Sequence, residues 1–172
     1  MRCLSRLAVL ALACLTLACG GSKTPQGATQ TPTPSGPDLK IANASSPGER
    51  LDLATCAVPG KLTLIEFFSD RCPPCREMAR VLDYIAARRP DLAIRRLNID
   101  RPGSGGIDWD SPLADQYGID TVPCFKIYGT GGGLISQGDA AKDQVRQWYY
   151  DAQMLDRAQA DPGTRAISER YR

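Results

Sequence analysis

Cys72 and Cys75 stand where an apolar run gives way to a helical repeat, and that junction constrains the chain more than any other stretch. Leu62 to Phe68, LTLIEFF, is almost continuously hydrophobic and rich in aromatic and branched residues. Such a run predicts a strand buried on both faces of a partly parallel sheet, with Glu66 as the exception within it. Beyond the cysteines, Met78, Val81, Leu82 and Ile85 recur at helical spacing. Cys72 is therefore expected between a strand end and a helix N-terminus, where unpaired N–H groups and the helix dipole favour a thiolate. In such settings a cysteine pKa falls from ~8.5 to between ~3.5 and ~7.5. Cys75, one turn on, is close enough to close a small disulfide ring. A zinc site would need four ligands, whereas the chain has no His and no second C-x-x-C. A purely structural staple is disfavoured too, because so small a ring constrains little of the unfolded chain. A redox pair is the reading that remains.

Further along, RRLNID (Arg95 to Asp100) and ADQYGIDTVPCFKIYGTGGGLISQGDA (Ala114 to Ala140) follow the pair in an order and spacing that resembles the thioredoxin superfamily. The resemblance covers the middle and last thirds of the chain. It implies an α/β fold of three layers, a central mixed sheet with helices on both faces. It also implies a thiol–disulfide oxidoreductase in which Cys72 attacks and Cys75 resolves. Glu66 matches the family's buried carboxylate, expected to have a raised pKa and to accept the proton of Cys75. Val122-Pro123 matches the cis-proline, whose loop, with Arg71, would hold the substrate as an added strand. Gly138 falls at the glycine position before the last helix. No cofactor or metal is implied.

Departures from the family pattern qualify the carry-over. Arg71 and Phe68 stand where tryptophans are common, and Arg71 adds a cation beside Cys72 that should favour the thiolate. Pro73 has no N–H to offer a sulfur. Pro74 resembles the reducing members, so a reductant of protein disulfides, fed by a membrane electron donor, is expected. The alternatives are a client-binding or assembly protein, or a disulfide oxidant or isomerase. Cys124, directly after Pro123, is either a further redox group or a small buried hydrophobe. Cys56 has weaker claims, and their pairing depends on a distance the sequence does not give.

The 172 residues exceed the ~110 a minimal domain of this type needs, with the excess at the two ends. Residues 1–18 carry Arg2, Arg6 and an apolar run from Leu7 to Leu17, too short to span a membrane and suited to a signal-peptide core. Leu15 to Cys19 resembles a bacterial lipobox, with Thr16 and Leu17 in reversed order, which makes Cys19 the lipidation candidate. Residues 19–47, rich in Gly, Ser, Thr and Pro, read as a disordered tether. The domain is expected over 48–160 and a charged tail over 161–172. These readings place a monomer, exported and lipid-anchored, on the periplasmic side of a bacterial membrane, the outer one if the cell is Gram-negative.

Charge adds little. The 21 basic and 19 acidic side chains become 19 of each once Arg2 and Arg6 are removed, so nothing attracts nucleic acid, and Arg88-Arg89 and Arg95-Arg96 read as solvated local pairs. Leu51 to Val58 suits either a short strand or a helix end. Leu92 to Asp100 reads as a second strand, and Arg101 to Asp110 as a flexible glycine-rich insertion lacking the Lys and Ser/Thr of a phosphate loop. Ser111-Pro112 opens a short helix that Tyr117-Gly118 closes. A hairpin over Phe125 to Tyr128 and Leu134 to Gln137 follows, then a last helix whose Val145, Trp148, Tyr149 and Ala152 share a face.

Overall fold

The computed structural model describes residues 36–161. The signal segment 1–18, Cys19, the tether up to residue 35 and the tail from 162 lie outside the described residues. Among those described, no helix is long and apolar enough to cross a membrane.

Among the described residues, five strands and three α-helices follow one another: β1 (Leu39–Ile41), β2 (Leu62–Phe68), α1 (Pro73–Ala86), β3 (Leu92–Asn98), α2 (Pro112–Tyr117), β4 (Cys124–Tyr128), β5 (Leu134–Gln137) and α3 (Gly138–Ala160). The sheet order is β1-β3-β2-β4-β5. β1, β3 and β2 run parallel, whereas β4 is antiparallel to β2 and β5 to β4. β2 is central and, apart from Leu62, fully buried, which is why its sequence shows a near-continuous apolar run and little alternation.

Strand parity sorts the side chains into two cores. Leu64 of β2, Ile94 of β3 and Phe125 and Ile127 of β4 meet Leu82 and Ile85 of α1 and Val145 and Trp148 of α3. Ile65 and Phe67, with Leu97 and Ile99, meet Leu113 of α2 and the residues around a 3-10 turn, Leu53–Thr55. Helices thus cover both faces of the mixed sheet. Each fully buried Leu, Ile or Phe contributes about 1.5–3 kcal/mol relative to exposure. Local signals end the elements where the sequence suggests. The Ser111 hydroxyl accepts from the Ala114 N–H at the start of α2, and Gly118, at φ 61°, closes it.

Three expectations need correction. The tether ends well before residue 47, because Leu39–Ile41 pairs with β3 and Asn43, 2 % exposed, exchanges two hydrogen bonds with the Asn98 backbone at 2.8 and 2.9 Å. A three-residue edge strand with one face half-exposed leaves no hydrophobic signature; its hold is backbone pairing and the Asp38 carboxylate, which receives Arg95 at 2.7 Å and Lys61 at 3.2 Å. Second, Arg95 and Arg96 are strand residues, Arg95 only 5 % exposed, and not a solvated pair. Third, the Arg101 to Asp110 loop is pinned at its base. Arg101 donates to both oxygens of Asp108 at 2.7 and 3.0 Å, and the Asp108 N–H donates to Asp100 at 3.0 Å. The undecided Leu51 to Val58 segment is the 3-10 turn, capped by Asp52, which accepts from the Ala54 N–H at 2.9 Å.

Gly48 ties the N-terminal segment to this base. Its N–H donates to the Asn98 carbonyl and its carbonyl accepts from Leu113, both at 2.9 Å, with φ at 76°. A Cβ there would lie 2.7 Å from Arg101 Cγ and 2.8 Å from the Arg101 backbone nitrogen. Gly60 has a similar φ of 79° and nothing within 4 Å. Urea denaturation should therefore show a loss of about 3 kcal/mol for Gly48→Ala and about 1 kcal/mol for Gly60→Ala, since only the first adds a clash with backbone to the left-handed strain. Equal losses would mean that the close approach to Arg101 has no energetic weight.

Candidate functional site

The site is built where β2 ends and α1 begins. Cys72 is the N-cap of α1, in extended conformation at φ −94°, and Pro73 and Pro74 occupy the first helical turn. Proline suits these positions because the N–H it lacks would have no intrahelical partner. The consequence is chemical. With two donors deleted, the helix N–H directed at the Cys72 sulfur is that of Cys75, 3.1 Å away, shared with the Cys72 carbonyl at 3.1 Å. The sequence-level expectation of several free N–H groups at this sulfur thus reduces to one well-aimed donor plus the dipole.

Cys72 and Cys75 form a disulfide with a Cα–Cα separation of 5.2 Å. Both are almost fully buried, at 2 % and 1 % exposure, on Phe68, with Ile107 and Val122 packed against them. The carbonyl oxygen of Val122 lies 3.6 Å from Cys72 Sγ, and the Val122-Pro123 peptide is cis. The structure therefore brings Cys72, Cys75, Val122 and Pro123 into one place.

Glu66 shares a sheet face with Leu64, on the side covered by α1. Its side chain has no exposure, and the parallel register sets Arg96 of β3 directly opposite. Arg96 Nε donates to Glu66 Oε2, while Oε1 is buried without a hydrogen-bond partner. The lone carboxyl of the sequence reading is thus half-satisfied by a partner that the sequence did not reveal. Burial outweighs the arginine and pushes the Glu66 pKa up to about 7. The Arg96 guanidinium also lies over the Phe68 ring, 4.2 Å from its centroid, and so links the carboxyl to the platform beneath the disulfide.

Arg71 is engaged by Asp100 and Ser104. Its guanidinium lies 3.6 Å from the buried Asp100 carboxylate and 3.2 Å from the Ser104 hydroxyl. Asp100 also receives the Ser69 hydroxyl at 2.7 Å, so a carboxylate offsets the charge that the sequence placed beside Cys72. Cys124 packs with Phe67 and Leu97 on the far face of the sheet, and Cys56 lies in the same cluster; both are free thiols. Burial raises the pKa of each, the behaviour of small buried hydrophobes. Among the described residues, no group of three or more His, Cys, Asp or Glu could hold a metal.

A family model described as Thioredoxin matches residues 54–150. A thioredoxin-like protein of Fusarium culmorum is 31 % identical over 80 residues, covering 45 % of this chain and 60 % of the relative. The thioredoxin of Chlamydia pneumoniae is 30 % identical over 70 residues, covering 41 % and 61 %. The chain thus spans about three fifths of the length of these curated relatives. Of solved structures, the oxidised thioredoxin of Plasmodium falciparum superposes with a TM-score of 0.45 at 17 % identity, covering 64 % of this chain and 98 % of that one.

Glu66 makes stability depend on pH with a definite sign. The ordinary pKa is 4.5 and the folded value about 7, so between these values the folded chain holds a proton that the unfolded chain has released. Stability must fall as pH rises through that window and level off above it. Glu66→Gln removes the titration. Relative to wild type, its unfolding free energy should rise by about 3 kcal/mol from pH ~4 to pH ~8 in urea titrations. A pH-independent difference would mean that the carboxyl titrates alike in both states.

Proposed function

The chain belongs to the thioredoxin family, and on that premise we propose that it is an exported, membrane-anchored thiol–disulfide oxidoreductase that reduces protein disulfides. The observation that carries the chemistry is the Cys72–Cys75 disulfide at the start of α1, with the Val122 carbonyl 3.6 Å from Cys72 Sγ. In the reduced state the Cys72 thiolate attacks a partner disulfide, forming a mixed disulfide and releasing one partner thiolate. Cys75 then loses its proton, attacks Cys72 Sγ and expels the second partner thiolate, so that two electrons pass from the pair to the partner. Glu66, poised near neutrality and on the α1 side of the sheet, accepts that proton. The backbone around Val122 holds the partner segment in extended form, and Arg71 borders the same entrance.

Electron flow toward the partner is supported by Pro74 ahead of Cys75 and by the offset of Arg71 through Asp100. Potentials in the superfamily run from about −270 mV for thioredoxin to about −120 mV for the strongest oxidants, and this pair is expected below about −200 mV. Equilibrating the full chain against glutathione or dithiothreitol and reading the pair by thiol labelling measures it, with Cys124→Ala as a control. A value above about −160 mV would make the protein an oxidant or isomerase. Loss of insulin reduction in Cys72→Ser separates catalysis from mere client binding.

The anchor rests on Arg2, Arg6, the apolar run from Leu7 to Leu17 and the Leu15 to Cys19 segment. Acylation of Cys19 contributes about 0.8 kcal/mol per buried methylene, and two or more chains give stable attachment. Residues 20–37 would then tether the domain at the periplasmic side of the membrane, in reach of a membrane electron donor. Cys19→Ala should release the protein from the membrane fraction or leave it unprocessed. The same fractionation and mass as wild type would rule the anchor out.

A further inference from the structure

The disulfide is covered from two sides by residues of different standing. Val122 belongs to the segment that would hold the partner, whereas Ile107 comes from the Arg101 to Asp110 loop, which the reaction as written does not use. Ile107, with Val122, packs against the buried cluster of Phe68, Cys72 and Cys75, in which the cysteines are 2 % and 1 % exposed. A thiolate must reach a sulfur to open the bond, so access limits the rate as much as thiolate character does.

The loop is built asymmetrically around Ile107. On one side Asp108 is fixed by Arg101 and by its N–H bond to Asp100. On the other, Gly103, at φ 86°, Gly105 and Gly106 have no atom within 4 Å of where a Cβ would stand, and Ser104 between them accepts from the Arg71 guanidinium and donates its N–H to the Arg101 carbonyl, both at 3.2 Å. An apolar side chain is thus held near the disulfide by one firm arm, fixed through an ion pair, and one glycine-rich arm tied at Ser104.

We propose that Ile107 is a specificity-determining residue, covering the Cys72–Cys75 disulfide against small thiols and yielding it to an extended polypeptide that pairs along Val122 and puts its own apolar side chain where Ile107 packed. This rests on the oxidoreductase reading and names the partner by its chemistry. A small thiol brings no contacts to replace those Ile107 gives up, whereas a polypeptide brings both backbone pairing and apolar surface. With dithiothreitol, its thiolate attacks one sulfur, the Cys72–Cys75 bond breaks and the released thiolate takes up a proton. The second thiol then closes the cyclic reagent disulfide and frees the other cysteine, two electrons having moved to the protein.

The test compares two single turnovers of the full chain: reduction of the oxidised pair by dithiothreitol, and oxidation of the pre-reduced pair by insulin. In Ile107→Ala the dithiothreitol rate constant should rise about fivefold or more while the insulin rate changes by less than about twofold, and Ile107→Val should stay within about twofold of wild type in both. Asp108→Ala, which cuts the firm arm and keeps Ile107, should move the dithiothreitol rate in the same direction. Equal dithiothreitol rates in wild type and Ile107→Ala overturn the proposal, as does a parallel rise in both reactions, which is the mark of a loosened fold. A wild-type chain that insulin fails to oxidise overturns the oxidoreductase reading itself, and the proposal with it.

Discussion

Seven residues of β2 lie in parallel register on seven of β3, and the site depends on where that register stops. Both strands end together, Phe68 beside Asn98. The chain leaving β2 therefore enters α1 through Cys72 while the chain leaving β3 enters the Arg101 loop alongside it. The same register sets Glu66 against Arg96. A shift of one residue would turn Glu66 into the Phe67 core and leave both charges without partners. A buried, incompletely satisfied carboxyl costs stability, and the extensive apolar pairing around it is what tolerates that cost.

What the sequence made legible was local. The β2 run, the helical repeat after Cys75, the Ser111 cap and the Gly118 stop each rest on residues within a few positions of one another, and each lies where its pattern suggests. Val122-Pro123 was legible through family resemblance, since nothing in two residues states what lies against them. What escaped were contacts set by strand register and chain crossing. Arg96 meets Glu66 across thirty positions, and β1 meets β3 across more than fifty. β1 itself is three residues long, and its signal lies in backbone bonds that any composition could make. Strand parity would have put Arg96 and Glu66 on one face had the register been known.

Asp100 shows how substitutions at the entrance are absorbed. Where the resemblance leads one to expect tryptophans this chain has Phe68 and Arg71, and each finds a charged neighbour: Arg96 over the Phe68 ring, Asp100 beside the Arg71 guanidinium. Asp100 is 5 % exposed, yet it gathers the Ser69 hydroxyl, the Asp108 N–H and Arg71, enough to keep a carboxylate in a nearly dry place. It is the node through which the cysteine loop and the glycine-rich loop hold one another.

The paired prolines give the proposed nucleophile and its proposed resolver a division of labour. The amide aimed at the Cys72 sulfur belongs to the backbone of Cys75, while the group proposed to resolve a mixed disulfide is the Cys75 side chain. Activation and release are therefore separable within one residue. Exchanging the Cys75 thiol for a hydroxyl or a methyl keeps the amide in place, so such a chain would still engage its partners and then fail to let them go. On the proposed reaction, a protein arranged this way would carry within its first helical turn the means to be made into a covalent snare for its own substrates.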